Sequence, residues 1–215
     1  MELRLLAIVA EDENMSNAFI DGKDLHTATA EALGCDRQIA KSANFGLAYG
    51  SGPKGLRNYA AGMGVQITLE EATAVRQQWL DTYSGVKAWH RRLAKESDRT
   101  EGGMPALHIP GSRMRRFLPG EMNRLTVRAN TPVQGAGAAI LKCALGTLWK
   151  DAQGNDEVKI CAAVHDELIL LVKEGQEEKW AAILQKAMEG AEAKWLGAIP
   201  AVADVKIGKT WQECH

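Results

Sequence analysis

Three side chains at helical spacing form the first candidate site in the sequence. Arg37, Lys41 and Phe45 recur every fourth residue in the stretch 37–49, so at about 100° per residue they share one face of a helix. Cations pair with phosphate oxygens, and a ring one turn further on can cover a sugar or a base. The face therefore predicts a binding surface for a nucleoside triphosphate. The alternative is a surface helix with two solvated cations and one core ring.

Two carboxylates in the turn of an apolar hairpin form the second candidate site. The apolar runs 158–164 and 168–172 are joined by His165, Asp166 and Glu167. Carboxylates in such a place are costly unless a cation or solvent meets them. The turn predicts a metal site, and a plain charged turn is the alternative.

Both sites coincide with motifs that resemble those of the family A DNA polymerases, the family of the bacterial DNA polymerase I type. The stretch 37–50 fits the fingers signature R-x3-K-x3-F-G-x2-YG, and VHDEL at 164–168 resembles the palm signature in the expected order. The terminal IGKTWQECH also looks like the family's C-terminus.

The resemblance implies an α+β fold: a polymerase palm, made of a small antiparallel sheet backed by helices, with a mostly helical fingers subdomain. It divides the chain into the start of the palm at 1–22, the fingers at 23–104, and the palm with its metal-binding hairpin at 105–215.

The resemblance also implies an activity, template-directed DNA synthesis. A primer 3′-hydroxyl would attack the α-phosphate of a deoxynucleoside triphosphate, with two Mg²⁺ ions as cofactors. Asp166 is the implied metal ligand and Glu167 an auxiliary carboxylate. Lys41 and Arg37 would bind the triphosphate, and Lys41 is a candidate proton donor to the leaving pyrophosphate.

Four more residues are implied to contact the nucleotide. Phe45 and Tyr49 would line its sugar and base, and Glu2 would exclude a 2′-hydroxyl. His26 would lie near the triphosphate, in the first turn of a helix, where backbone amides favour anions. A purely structural histidine is the alternative for His26.

The implied contacts with primer-template DNA come from a second set of residues. His165, Asn130 and Gln134 would face the minor groove, where every base pair presents acceptors in similar places. Many relatives carry an arginine four residues before this asparagine, where this chain has Thr126. Either Arg128 takes over that role or the role is vacant.

A basic segment stands out in a chain whose total charge is nearly balanced. Residues 87–128 contain ten Lys and Arg against four Asp and Glu, whereas the whole chain has a net charge of −1. A predicted hairpin within it, 106–109 with 114–118, carries Arg113, Arg115 and Arg116. The cluster predicts contact with template backbone phosphates.

The first residues lack one carboxylate of the family pattern. Relatives carry a sequence like D-x-S-Q-I-E-L-R, and here Met1 stands where the isoleucine would be, so Glu2 and Arg4 are present and the metal-binding Asp is not. We expect one piece of a split polymerase, whose upstream partner fragment supplies that Asp, a palm strand and the thumb. A non-catalytic nucleotide- or DNA-binding module and an inactive truncated fragment are the alternatives. A missing strand predicts an exposed apolar edge beside 158–172.

Composition excludes several other classes of protein. The chain has 215 residues, 46% hydrophobic and 25% charged, with no apolar run of membrane-spanning length and no secretory signal pattern. Its four cysteines form no C-x2-C pair, which argues against a zinc site and for reduced thiols. We expect a protein of the cytoplasm of a bacterial or phage-infected cell, without a membrane partner.

Local patterns predict the remaining elements. Asp24 and Thr68 are expected to cap helices, and Trp79, Tyr83 and Trp89 to be core aromatics. The other predictions are a helix at 2–11, a turn at 17–22, a helix at 124–150 interrupted near Pro132, a helix at 173–194, and a strand at 201–207 paired with the hairpin.

Overall fold

The computed structural model describes residues 1–95, 100–101, 104–120 and 123–214. Seven α-helices occupy the first described stretch, in an order set by short connecting turns. They are α1 (Glu2–Val9), α2 (Glu13–Ile20), α3 (Leu25–Leu33), α4 (Arg37–Ala48), α5 (Pro53–Gly62), α6 (Leu69–Thr82) and α7 (Ser84–Lys95).

The rest of the described chain contains two antiparallel sheets, two long helices and a short 3-10 turn. Strands β1 (Thr100–Glu101), β2 (Met104–His108) and β3 (Arg115–Phe117) form one sheet, and β4 (Val158–Val164) pairs with β5 (Glu167–Val172) in the other. The helices are α8 (Leu125–Ala152) and α9 (Glu177–Leu196), and the turn is Trp211–Cys214. Helices beside small antiparallel sheets confirm the predicted α+β class. No described helix is both long and apolar enough to cross a membrane.

Two compact units divide the chain inside α8, at Met1–Ala136 and Gly137–His215. In the first unit α3, α4, α5 and α6 pack in succession. Trp79, Tyr83 and Trp89 are buried there, at most 4% exposed, which confirms them as core aromatics. In the second unit α9 packs on β5.

Capping side chains fix the starts of α3 and α6, as predicted. The Asp24 carboxylate accepts from the backbone N–H of Thr27, and Gly34 ends α3 in the left-handed region at φ 61°. Thr68 and Glu71 form a reciprocal capping box at the start of α6. These local bonds set where α3 and α6 begin.

Asp12 joins two helices that are far apart in sequence. Its Oδ1 accepts from the backbone N–H of Met15 at 3.0 Å, and its Oδ2 accepts from that of Val86 at 3.1 Å. The side chain is 1% exposed. A Cβ on Gly85 would lie 2.6 Å from the Asp12 Cα, so only glycine permits this approach. One carboxylate therefore links the starts of α2 and α7.

Two predicted helix breaks are wrong. The stretch 17–20 belongs to α2, because the Asp12 cap starts a helix that continues to Ile20. Helix α8 runs through Pro132 without interruption. Ala129, Val133 and Ala136 around the proline are fully buried, and this packing outweighs the loss of one backbone N–H.

The predicted last strand is also wrong. Residues 201–207 form no strand, and the described sheet of the second unit contains β4 and β5 alone. Val202 and Ile207 are 47% and 49% exposed, and the Ala203 N–H donates to the Glu189 carboxylate at 3.3 Å. A side chain thus takes the backbone donor that a strand partner would need.

Candidate active site

Helix α4 presents the predicted ladder of cations and ring on its outer face. Arg37 is exposed, and Lys41 and Phe45 are half-buried. The opposite face is closed by Ala40, Ala43, Asn44 and Leu47, each at most 1% exposed. The Asp36 carboxylate accepts from the Gln38 N–H at 2.7 Å and fixes the start of the helix. The cations therefore lie on the accessible side of a firmly packed helix.

Arg37 is held at the adjoining start of α3. Its guanidinium donates to Asp24 Oδ2 from Nη2 at 2.9 Å and from Nε at 3.0 Å. Partial burial acts to raise the pKa of Asp24, but hydrogen bonds from Thr27 and Arg37 and the guanidinium charge outweigh it and lower that pKa to about 2. The ion pair keeps the Arg37 cation near the N-termini of two helices, where anions are favoured.

His26 lies against the same helix face. Its ring centre is 5.4 Å from that of Phe45, and its Nδ1 is 3.0 Å from Asn44 Nδ2. Burial lowers the pKa of His26; Asp24 opposes this shift, and the charges of Arg37 and Lys41 add to it. The imidazole is therefore neutral at neutral pH, beside two cations.

A second cluster joins the first turn of α1, the end of α4 and the first half of α8. Tyr49 Oη donates to Glu2 Oε2 at 3.1 Å, and Gln134 Nε2 donates to Glu2 Oε1. Gln134 Nε2 also lies 3.4 Å from Tyr49 Oη. Burial, with the Glu2 charge, raises the pKa of Tyr49, so the phenol keeps its proton and donates it. Glu2, Tyr49 and Gln134 form one hydrogen-bonded group.

The residues predicted to contact DNA differ in exposure. Arg115, on β3, is exposed, and Asn130, on α8, is half-buried. Arg128 is 5% exposed, so its side chain is enclosed by protein. Arg116, also on β3, donates to Thr131 Oγ1 at 3.4 Å, and this hydrogen bond links β3 to α8.

The acidic turn lies at the tip of the β4–β5 hairpin, in the second unit. Val164 pairs with Glu167, which leaves His165 and Asp166 as a two-residue turn with His165 at φ 53°. His165, Asp166 and Glu167 are all exposed. Within the described ranges no group of three His, Cys, Asp or Glu side chains could hold a metal ion. Exposed carboxylates fit Mg²⁺ as one or two ligands of a shared site, alongside substrate phosphates.

Sequence reasoning missed the polar group beneath the outer face of α4. Asn44, Thr29 and Trp79 are fully buried, and Asn44 is hydrogen-bonded to Thr29, to Trp79 and to His26. The available signal was a single asparagine on the otherwise small, apolar face of α4. A buried amide requires partners, so its position pointed to a network.

Known proteins similar to this chain agree on its family. The family model described as DNA polymerase family A matches residues 1–213. DNA polymerase I of Aquifex aeolicus (strain VF5) is 34% identical over 98% of this chain and 38% of its own length. DNA polymerase I of Geobacillus stearothermophilus is 30% identical over 99% of this chain and 25% of its own length. The chain thus spans between a quarter and two-fifths of these relatives.

A solved structure gives the same result for the fold. The POL domain of Pol1 from M. smegmatis, in complex with DNA primer-template and dNTP, matches with a TM-score of 0.80 and 27% identity. The match covers 100% of this chain and 39% of that one. The chain therefore belongs to DNA polymerase family A and corresponds to a C-terminal part of its DNA polymerase I members.

Proposed function

We propose that this chain carries the fingers and the catalytic hairpin of a polymerase that performs template-directed DNA synthesis. One observation carries the proposal: Arg37, Lys41, His26 and Phe45 lie on one accessible face, built as a nucleoside triphosphate requires. The relative solved with primer-template and dNTP supports it. The proposed subdomains are the palm start at 1–22, the fingers at 23–104 and the palm with its hairpin at 105–215.

The nucleotide would bind with its phosphates toward the start of α4. Arg37 and Lys41 would pair with phosphate oxygens, and Lys41 would donate a proton to the leaving pyrophosphate. Phe45 and Tyr49 would line the sugar and base. The Glu2 carboxylate, held by Tyr49, would crowd a 2′-hydroxyl and so favour deoxynucleotides. The phenylalanine at position 45, in place of tyrosine, suggests poor use of dideoxynucleotides.

The DNA would contact residues outside that face. His165, Asn130 and Gln134 are proposed to face the minor groove, and Arg115 the template backbone. Arg128, enclosed by protein, would act there only if DNA binding exposes it. Because the proposed substrate is DNA, we expect the protein to act in the cytoplasm of a bacterial or phage-infected cell.

Asp166 is the proposed Mg²⁺ ligand, with Glu167 as an auxiliary carboxylate. Two bound ions would favour ionisation of the primer 3′-hydroxyl and stabilise the charge on pyrophosphate. The contribution of this chain is to hold the Asp166 carboxylate in a two-residue turn, where solvent and substrate reach it.

A further polymerase segment is proposed to complete the site. One turn of adjacent carboxylates cannot by itself hold two divalent ions close together, and the described residues contain no group of three His, Cys, Asp or Glu side chains that could hold a metal ion. Strands β4 and β5 are apolar yet largely uncovered: Leu171 is 62% exposed, and Cys161 and Ala163 are exposed. A strand that paired with this hairpin would cover it and could bring the second Asp.

Primer extension tests the proposal. The chain is assayed with Mg²⁺ and deoxynucleotides, alone and mixed with an upstream polymerase fragment ending in D-x-S-Q. Synthesis in the mixture only, abolished by Asp166→Ala, is the expected result. Synthesis by the chain alone would contradict the need for a second segment. If neither sample synthesises DNA and Asp166→Ala leaves DNA binding unchanged, a non-catalytic nucleotide- or DNA-binding module is favoured. The face of α4 is compatible with that function too.

A further inference from the structure

A buried chain of hydrogen bonds runs from the core of the first unit to His26. Trp79 Nε1 lies 2.8 Å from Asn44 Oδ1, and Asn44 Nδ2 lies 3.0 Å from His26 Nδ1. Trp79 and Asn44 are fully buried, whereas His26 is half-buried beside Phe45. The chain thus connects a core indole to the face proposed to bind the triphosphate.

The indole sets the direction of this chain. An indole N–H can only donate, so the Asn44 atom that faces Trp79 has to be the carbonyl oxygen. The Asn44 NH₂ group then faces His26. A reversed amide would place its NH₂ against the indole N–H and leave two buried donors without an acceptor, at a cost of about 1–3 kcal/mol for each.

Thr29 accepts from Asn44 in this orientation without deciding it, because its Oγ1 lies 3.0 Å from Asn44 Nδ2 and 3.1 Å from Asn44 Oδ1. Its hydroxyl lies 2.6 Å from the Leu25 carbonyl oxygen, which can only accept, so the single Thr29 proton is used there. Thr29 Oγ1 therefore accepts from Tyr83 Oη at 2.6 Å and from Asn44 Nδ2 at 3.0 Å. One amide N–H of Asn44 donates to Thr29, and the other donates to His26.

The ring nitrogen that accepts this hydrogen bond carries no proton of its own. His26 Nδ1 accepts from Asn44, so the imidazole proton is on Nε2, and a second proton at Nδ1 would oppose the Asn44 donor. We propose that Asn44 and Trp79 are positioning residues that hold His26 as a neutral Nε2–H donor for a phosphate oxygen of the nucleotide. The phosphate ligand rests on the proposed function, whereas the state of the ring does not.

The state of the ring is measured on the full chain by ¹⁵N NMR of its imidazole groups. The sequence has five histidines, and the signals absent from a His26→Gln sample identify the ring in question. His90 is an internal reference, because its Nε2 lies 2.9 Å from the Ala48 carbonyl oxygen and must donate. A pyridine-like Nδ1 and a protonated Nε2 at His26 are expected. A protonated Nδ1 at neutral pH would overturn the proposal.

Variants test the hydrogen-bond chain from Trp79 through Asn44 to His26, which we call the relay. Asn44→Asp places a carboxylate oxygen against Nδ1, so the ring should take a proton there and its titration midpoint should rise by roughly one to three pH units. The other charges that act on the ring, from Asp24, Arg37 and Lys41, are the same in both proteins. Trp79→Phe frees the amide to turn and should give a mixture of tautomers.

Tyr83→Phe is the matched control. It removes the other donor to Thr29 but leaves both Asn44 contacts, so the His26 tautomer should not change. A tautomer that changes equally in Tyr83→Phe, or stays fixed in Asn44→Asp, would refute the relay.

Nucleotide kinetics separate the relay from its ligand. In the reconstituted extension assay, His26→Ala should raise the KM for deoxynucleotide about tenfold or more, since it removes the Nε2–H donor to the phosphates, with a smaller change in kcat. An unchanged KM with the expected tautomer would remove phosphate as the ligand of His26. Absence of any extension would refute the proposed function and leave the tautomer result valid.

Discussion

The two predicted reaction centres are built in opposite ways. Around α3 and α4 two of the polar side chains have partners: Arg37 pairs with Asp24, and His26 with Asn44. At the tip of the β4–β5 hairpin, Asp166 is exposed in a two-residue turn, and the strands beneath it are largely uncovered. The face proposed to bind the nucleotide thus has Arg37 and His26 held in place within this chain, whereas in the turn proposed to bind metal only the backbone is held.

This difference has a physical cause. Buried polar groups are stable only when they are hydrogen-bonded, so the network under α4 fixes its own geometry. Exposed carboxylates keep their hydration and need no protein partner. Substitutions at the tip should therefore affect chemistry without affecting stability, and those in the first unit should affect stability or selectivity.

The largest expected effect is on catalysis at the tip. Asp166→Ala should lower primer extension in the reconstituted mixture at least about a thousandfold, because a lost metal ligand removes several kcal/mol of transition-state stabilisation. The free energy of unfolding should change by less than about 0.5 kcal/mol, because the side chain is exposed. Asp156→Ala, just before β4 at the other end of the hairpin, is the control and should retain activity. Equal losses of activity in Asp166→Ala and Asp156→Ala would indicate that the substitutions disturb the hairpin fold and do not act through a metal ligand.

The next effect is on stability in the first unit. Asp12→Ala removes the cap of α2 and the acceptor for the Val86 N–H, and should lower the free energy of unfolding by about 2 to 4 kcal/mol. Urea unfolding measures it. The exposed neighbour Glu13, changed to Ala, should give less than about 0.5 kcal/mol. A loss below about 0.5 kcal/mol in Asp12→Ala would show that the buried Asp12 contacts contribute little to the stability of the first unit.

A third effect concerns sugar selectivity. Glu2→Ala should raise the relative use of ribonucleotides roughly 10- to 100-fold, the range of a contact worth 1–3 kcal/mol, because the carboxylate beside Tyr49 is removed. The ratio of kcat/KM for the two nucleotides is the measurement, with the exposed Glu31→Ala as control. An unchanged ratio would separate the Glu2–Tyr49–Gln134 group from the sugar.

The smallest effect is the pH dependence of the Asp24–Arg37 pair. The folded-state pKa of Asp24 is about 2, below its ordinary value of 3.8. Its contribution is therefore complete above about pH 4 and is lost as the pH falls toward 2. The carboxylate is half-exposed, so Asp24→Asn should cost only about 0.5 kcal/mol at pH 7, and less in high salt. A cost that persists at pH 2 would indicate a contact other than the ion pair.

Local chemistry in the sequence was sufficient for much of this molecule. The face of α4, the caps at Asp24 and Thr68 and the turn of the acidic hairpin follow from neighbouring residues alone. Helix hydrogen bonds and caps join residues at most a few positions apart, so the sequence pattern contains their partners. The two family motifs are equally local, and they indicated the family.

Contacts between distant residues were decided by the tertiary structure. Glu2 and Gln134 are 132 residues apart and meet only because α1 and α8 pack near the end of α4. Trp79 directs Asn44, and through it His26, by an approach of α6 that no spacing predicts. The stretch 201–207 has the alternation of a strand but lacks a strand partner. A helix carries its hydrogen bonds within itself, whereas strands and buried polar networks need partners that only packing can bring.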